Sequence, residues 1–396
     1  MTPDARAAEV ARASYGKLVA ILASRTRDIA AAEDALADAF AKALTTWPSQ
    51  GIPDRPEAWL LTTARNRLTD TQRRAARMYY TDEVPEMPSP QQPDFPDERL
   101  KLMFVCAHPA IDVKLHTPLM LQTVLGIEAS QIAATFLISP TAMAQRLVRA
   151  KTKIKASGIP FLVPDTADLP LRLTAVLEAI YGAHALDWLH STDVLGVEAL
   201  YLAHLLTDLL PDTPEALGLA ALLAFSHARQ KARIQDGVLV ALDEQDTALW
   251  DTDLIDRAAM LLSRAQRLSQ IGRFQLEAAI QSVHAHRATT GQTDWHALMQ
   301  LHAALLKLYP TIGAAVSHAA ASAQALGPSH GLALLDKIDP DVANGFQPAI
   351  ATRAHLLAQT GDLEHAACLY DKAISLTTDA PLRRFLEAKR TALARI

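Results

Sequence analysis

GIEASQIAATFLISPTAMAQRLVRAKTKIKASG, residues 126–158, decides how this chain is read. Residues 129–136 have the spacing of a short helix that buries Ile132, Ala133 and Phe136. Leu137 and Ile138 make a turn, at a place where a motif of this kind usually holds glycine. Ser139 suits an N-cap, because its hydroxyl accepts from an orphan backbone N–H, and Pro140 suits the first helical position. In the helix that follows, Met143 and Leu147 face inward and Ala144, Gln145, Val148 and Arg149 face out. Such a helix fits a DNA major groove, where Arg reads guanine, Gln reads adenine and Val touches a thymine methyl. Lys151, Lys153 and Lys155 are expected toward the phosphates, adding salt-dependent affinity. The expected DNA-contacting set is Ser139, Ala144, Gln145, Arg146, Val148, Arg149, Lys151 and Lys153. Taken alone, these residues fit a helical hairpin with a solvated basic face equally well.

Charge outside this segment decides little until it is divided. The 396 residues carry a net charge of −5, which by itself argues against nucleic acid. Residues 1–158 hold 20 Lys+Arg against 17 Asp+Glu, a balance of +3, and the rest hold 18 against 26, a balance of −8. Five bases and no acid lie in 141–158, and Arg65, Arg67, Arg73, Arg74 and Arg77 face Asp70 alone in 65–77. Two basic helices form a usable electrostatic footprint. Ala and Leu recur at helical spacing, so the expected fold class is all-α. No apolar run reaches the roughly 20 residues of a membrane span. Asp4, Arg6, Glu9 and Arg12 interrupt any apolar leader, and Cys106 and Cys368 share no partnering motif. A cytoplasmic protein with reduced thiols and no membrane contact is the expectation.

Four segments follow from breaks in helical spacing. A helical block covers 1–78, broken at TTWPSQGIPDRPEAW (45–59), where prolines and Gly51 forbid a continuous helix. Residues 79–98 hold five prolines, six acids and no base, and read as an extended acidic linker. A second block covers 99–158, and a helical extension covers 165–396, with breaks near 191, 211, 236, 291, 310, 328, 345 and 379. In 347–380, Ala354, Gly361, Asp362, Leu363, Ala366, Tyr370 and Ala373 sit where a tetratricopeptide unit needs them, and 314–338 is a looser copy. An ordinary helical hairpin is the plainer alternative.

The motifs together are more specific than any one of them. Residues 27–47 (RDIAAAEDALADAFAKALTTW), 56–77 (PEAWLLTTARNRLTDTQRRAAR) and 126–158 occur in the order, and with the variable linker, of a bacterial sigma factor. The chain from 15 to 158 resembles the extracytoplasmic-function (ECF) subfamily across both of its small helical domains. The resemblance implies that Glu33, Asp34, Asp38 and Phe40 bind core RNA polymerase, although Asp34 and Asp38 also fit a solvated face. It implies that Trp59, Arg65, Asn66, Arg67, Arg73 and Arg74 bind and melt the −10 promoter element. A pocket beside Asn66, with arginines on phosphate, can hold a flipped base by its hydrogen-bonding edge. Trp59 either stacks on a base or fills the core. The 126–158 segment then reads the −35 element, and the chain's partners are core polymerase and promoter DNA.

Ordinary members of that subfamily end soon after the second domain. AHPAI (107–111), residues 136–164, LDEQDTALWD (242–251) and RFQLEAAIQSVHA (273–285) resemble a group of ECF factors with a C-terminal tetratricopeptide-like extension, in which the extension takes the regulatory part. AVSHAAASA (315–323) departs from that group's more polar pattern. Asp243, Glu244, Asp246, Asp251 and Asp253 are expected to cap helices or dock on a basic surface, including this chain's own DNA-binding helices. His284 and His286, two residues apart, fall on different sides of a helix and make poor joint metal ligands. No HExxH, P-loop, GxSxG or paired-Cys motif occurs, so neither catalysis nor a cofactor or metal is expected. The remaining readings are a tetratricopeptide-like scaffold and a conventional helix-turn-helix regulator; residues 27–77 separate them, since only a sigma factor needs that stretch.

Overall fold

The structure, a computed structural model, describes residues 2–79, 97–165, 167–190 and 194–394. Of the expected acidic linker, residues 80–96 lie outside these. The regular secondary structure of the described residues is helical apart from one antiparallel hairpin, β1 (Ile234–Gln235) with β2 (Val238–Leu239). The fold is all-α. The chain divides into two compact units, residues 1–187 with 192–202, and residues 188–191 with 203–396.

The first unit begins with α1 (Pro3–Thr26), α2 (Ile29–Gln50) and α3 (Pro56–Tyr79). Its helix starts follow simple chemistry. Thr2 caps α1 by accepting from the Ala5 N–H at 3.2 Å, with Pro3 next to it. Asp28 caps α2 by accepting from Ala31 at 3.1 Å. Ile29, Ala32, Leu36, Ala39, Ala43 and Trp47 form the buried stripe of α2. Trp59 of α3 stands edge-on to Trp47, with ring centroids 5.6 Å apart. The expected break at 45–59 begins later than the prolines suggested, since α2 runs through Pro48. Proline there deprives the carbonyl of Leu44 of its helical partner, at a turn of α2 where Leu44 is exposed.

Then come α4 (Arg99–Cys106), α5 (Val113–Thr123), α6 (Ala129–Thr135) and α7 (Pro140–Ala156). Leu102, Met103, Phe104, Val105 and Cys106 of α4 are fully buried, between α1 and α5. Gly16 lets α1 close on the end of α5, because a Cβ there would collide with the Val124 carbonyl oxygen. The unit is completed by α8 (Leu169–His190) as far as 187 and α9 (Val194–Leu209) as far as 202.

The second unit continues through α10 (Pro214–Ala228), α11 (Gln230–Arg233), the hairpin, α12 (Thr252–Arg267), α13 (Arg273–Ala285), α14 (Arg287–Thr290) and α15 (Trp295–Leu308). It ends with α16 (Ile312–Leu326), α17 (Pro328–Leu335), α18 (Pro340–Ala343), α19 (Gln347–Thr360), α20 (Leu363–Leu376) and α21 (Ala380–Leu393). Successive helices share small cores: Leu276, Leu298 and Leu305, then Val316, Leu335 and Leu356, then Ile350, Tyr370 and Leu386. The last helix returns to the hairpin, where Arg384 donates to the Gly237 carbonyl at 3.0 Å and Lys389 pairs with Glu244 at 3.0 Å. Within the described extension the expected breaks fall between helices, while the gaps at 240–246 and 268–272 were not foreseen.

Two helix ends use one backbone motif with different residues. After α19, Gly361 lies at φ +88°, and Asp362 N–H donates to Leu357 at 3.0 Å. After α6, Leu137 lies at φ +54°, and Ile138 N–H donates to Ala133 at 3.1 Å. Both are left-handed Schellman endings, a conformation that glycine adopts without a Cβ penalty. Gly361 has open space around it, so Gly361→Ala costs backbone energy alone, about 1 kcal/mol. Leu137→Gly relieves the same strain and gains about 1 kcal/mol. Urea unfolding of the two variants should show shifts of opposite sign; shifts of the same sign refute the assignment.

Candidate functional site

The α6–turn–α7 segment has most of the expected geometry. Ser139 caps α7 by accepting from Ala142 at 3.2 Å, and Pro140 opens the helix. Met143, Leu147 and Ile154 are buried, while Ala144, Gln145, Arg146, Val148 and Arg149 are exposed. Val148 is 62% exposed, an apolar side chain held in water beside two arginines. Phe136, expected in the core, is exposed instead, at 38%, as the cap residue at the end of α6.

The lysines depart further from expectation. Lys151 is only 8% exposed. Its ammonium donates to both carboxylate oxygens of Glu33 in α2, at 2.7 and 2.6 Å. Lys155 pairs with Asp28 at the start of α2 at 2.7 Å, although most of its side chain stays exposed. Lys153 is exposed, where it was expected. Thus Lys151 and Glu33, assigned by sequence to DNA and to polymerase, are bonded to each other. Burial pushes the Glu33 carboxyl up and Lys151 pulls it back, with a net rise; the Tyr15 hydroxyl is also raised, by burial and then by Glu33 and Asp34.

The remaining polymerase-assigned residues lie on α2, with Asp34 and Asp38 exposed and Phe40 half-buried. On α3, Asn66 and Arg73 are exposed, and Arg67 donates to Asp38 at 2.7 Å. Arg65 is half-buried, and burial together with Arg25 lowers its pKa. Trp59 is half-buried against Trp47, which favours its core role. Arg74 belongs to α3, but its side chain lies outside the described ones.

Sequence reasoning missed a second buried cation. Arg99 is 6% exposed; Asp97 lies 2.5 Å away, Glu198 of α9 pairs with it, and the Tyr201 ring lies 4.9 Å from the guanidinium carbon. Asp97 is held below the ordinary carboxylate range by Arg99, despite its burial. In the second unit, Asp246 and Asp251 cap helices, as the acidic cluster suggested. His284 is pushed down to about 3 by burial and by Arg229, with His302 and Arg287 adding to the shift, while His286 is exposed at the end of the same helix.

An uncharacterized protein of Rhizobium meliloti (strain 1021) is similar along nearly the whole chain, at 34% identity over 388 residues, covering 93% of this chain and 91% of that one. Residues 10–78 match the family Sigma-70 region 2. That match indicates a sigma-70 family factor. Its residues 172–266 match a family of unknown function, DUF6596, and no solved structure matches. The sigma-70 region therefore spans α1, α2 and α3, where Glu33, Asp34, Asp38, Asn66 and Arg67 lie. Family members serve transcription initiation, which gives the acidic face of α2 and the basic face of α3 their context.

The buried pair Glu33–Lys151 makes a testable demand on the chain. Lys151→Met leaves the Glu33 carboxylate buried without its partner and costs about 2 kcal/mol near neutral pH, the buried-pair value discounted for Glu33's partial exposure. Glu33's folded pKa lies above its ordinary value and rises further in the variant. Stability is then full below the ordinary carboxylate range and falls as pH rises through the folded pKa. Unfolding at pH 5 and pH 8 should show the larger deficit at pH 8. An equal deficit at both would refute the electrostatic account.

Proposed function

We propose that this protein is an ECF-type sigma factor that binds core RNA polymerase and directs promoter-specific initiation, regulated by its C-terminal helical extension. In this reading Glu33, Asp34, Asp38 and Phe40 of α2 engage polymerase. Asn66, Arg67, Arg73, Arg74 and Arg65 of α3 hold the unpaired −10 strand, with Trp59 supporting them from the core. The α6–α7 segment is a helix-turn-helix for the −35 element. The observation that carries the reading is the exposed row Gln145, Val148 and Arg149 on a well-capped helix, in one compact unit with a matched sigma-70 region 2. That row holds the chemistry of base-edge readout, two polar side chains and one apolar contact.

Regulation by the extension is supported by Arg99. Its partner Glu198 and neighbour Tyr201 lie in α9, so the extension's second helix is part of the unit that holds the sigma-70 region. The helical hairpins α16–α17 and α19–α20, with Ala354, Ala366, Tyr370 and Ala373 buried between helices, support a tetratricopeptide-like extension.

Core polymerase with the purified protein and a promoter library tests the function directly. Specific initiation is expected; its absence overturns the reading. Arg146→Ala with Arg149→Ala should then lose about 1–3 kcal/mol per base-reading arginine, concentrated at −35 positions, while polymerase binding through residues 28–44 survives. A loss spread evenly over all promoter positions would place these arginines on phosphate.

A further inference from the structure

In the second unit, α13, α15, α16, α19, α20 and α21, with the loop after β2, line a cavity of about 410 Å³. Small-molecule sites occupy roughly 300–1,000 Å³. The loop and the last helix are joined there by the Lys389–Glu244 pair, so residues 145 apart in sequence meet on one wall. From α16 the wall takes Ser317, Ala320, Ala321 and Gln324. The small side chains of 315–323 thus leave this space open where larger ones would fill it.

The lining selects for an uncharged occupant. Trp295, Tyr370 and Phe385 supply aromatic surface, with Trp295 standing edge-on to His284 at 5.9 Å between ring centroids. Three histidines share the wall. Burial pushes His284 down to about 3 and His302 to about 4, and it lowers His355, so all three are neutral at neutral pH. The ionised groups of the lining are Asp243, Glu244 and Lys389. An anion meets one lysine, already paired with Glu244 at 3.0 Å. A cation meets two carboxylates that are exposed, where an ion pair contributes little. A charged ligand would therefore give up water without adequate return.

One polar atom of the lining is left over. His302 Nδ1 is buried and has no hydrogen-bond partner among the described residues, a state that costs free energy until a partner arrives. A neutral imidazole carries its proton on one nitrogen, and a hydroxyl can donate to the bare nitrogen or accept from the protonated one. We propose that the extension binds an uncharged aromatic molecule bearing a hydroxyl group, with its rings among Trp295, Tyr370 and Phe385 and its hydroxyl on His302 Nδ1. The site lies wholly in the second unit and does not depend on the sigma-factor reading.

Equilibrium dialysis of the full-length protein against β-naphthol, naphthalene and β-naphthoate tests the site, because the three share one ring system and differ in hydroxyl and charge. Saturable binding of β-naphthol at one molecule per chain is expected, with naphthalene about ten-fold weaker and β-naphthoate weaker still. His302→Phe should bring β-naphthol down to the level of naphthalene and leave naphthalene unchanged. Ala320→Leu fills the cavity and should abolish binding of both, while urea unfolding shows that the variant stays folded. The site is overturned if β-naphthol fails to bind, if naphthalene or β-naphthoate binds as tightly, or if a folded Ala320→Leu protein binds like wild type. Should Ala320→Leu not fold, the three probes on wild type and on His302→Phe decide by themselves.

Discussion

The carboxylate of Glu33 and the ammonium of Lys151 meet under cover, and much of the first unit is arranged around that fact. Bringing both charges out of water costs several kcal/mol each, and a pair with good geometry regains roughly what it costs. The net upward displacement of the Glu33 carboxyl shows that, for this group, burial outweighs the stabilisation by Lys151. Such a contact is a weak source of stability, and its value lies in registry. It fixes which turn of α7 lies on which turn of α2, with a directionality that alanine-rich helix faces cannot supply. The small side chains of α2, Ala32, Ala35, Ala39 and Ala43, let neighbouring helices come close but discriminate little between one register and the next.

Arg99 plays the corresponding part between the start of α4 and the extension. A guanidinium at 6% exposure needs acceptors on more than one side, and it has Asp97 from its own segment and Glu198 from α9. Because Glu198 is only partly exposed and Tyr201 covers the planar face, α9 belongs to the unit in a structural sense. Cutting the chain at the end of α7 would leave Arg99 with one of its two carboxylates and expose the surface that α8 and α9 cover. An effect of such a truncation on transcription would therefore mix loss of regulation with loss of folding, and point changes within the extension are the cleaner instrument.

Features that depend on a few consecutive residues were legible in the sequence. Ser139 and Asp251 cap helices and Pro140 opens one, because helix starts are set by near neighbours. Met143 and Leu147 point inward because the helical period places them there, and Gly361 ends α19 because only backbone conformation is involved. Illegible features involved partners remote in sequence. Nothing local distinguishes Lys151 from Lys153, yet one is buried on α2 118 residues away and the other is exposed. One signal was available: Lys151 follows Leu147 by four residues, so it borders the inward stripe that Met143 and Leu147 begin. Phe136 was misplaced for a different reason: α6 ends at Thr135, so Phe136 is its cap residue and the helical period that would bury it no longer holds there.

Charge counted along the chain and charge presented by the fold are therefore different quantities here. Residues 141–158 carry five bases in the sequence, but two of them are spent on Glu33 and Asp28. What α7 leaves exposed, with no ion pair to a carboxylate among the described residues, is Arg146, Arg149 and Lys153. Phosphate affinity depends on the number of cations that displace counterions, so it varies with the arrangement of α2 against α7 at constant composition. If α7 reads DNA as proposed, its base-reading row Gln145, Val148 and Arg149 is exposed in this arrangement already. The side chains proposed for phosphate and those proposed for bases would then lie on different sides of one helix, so that the position of α2 would affect how tightly the helix binds more than which sequence it reads.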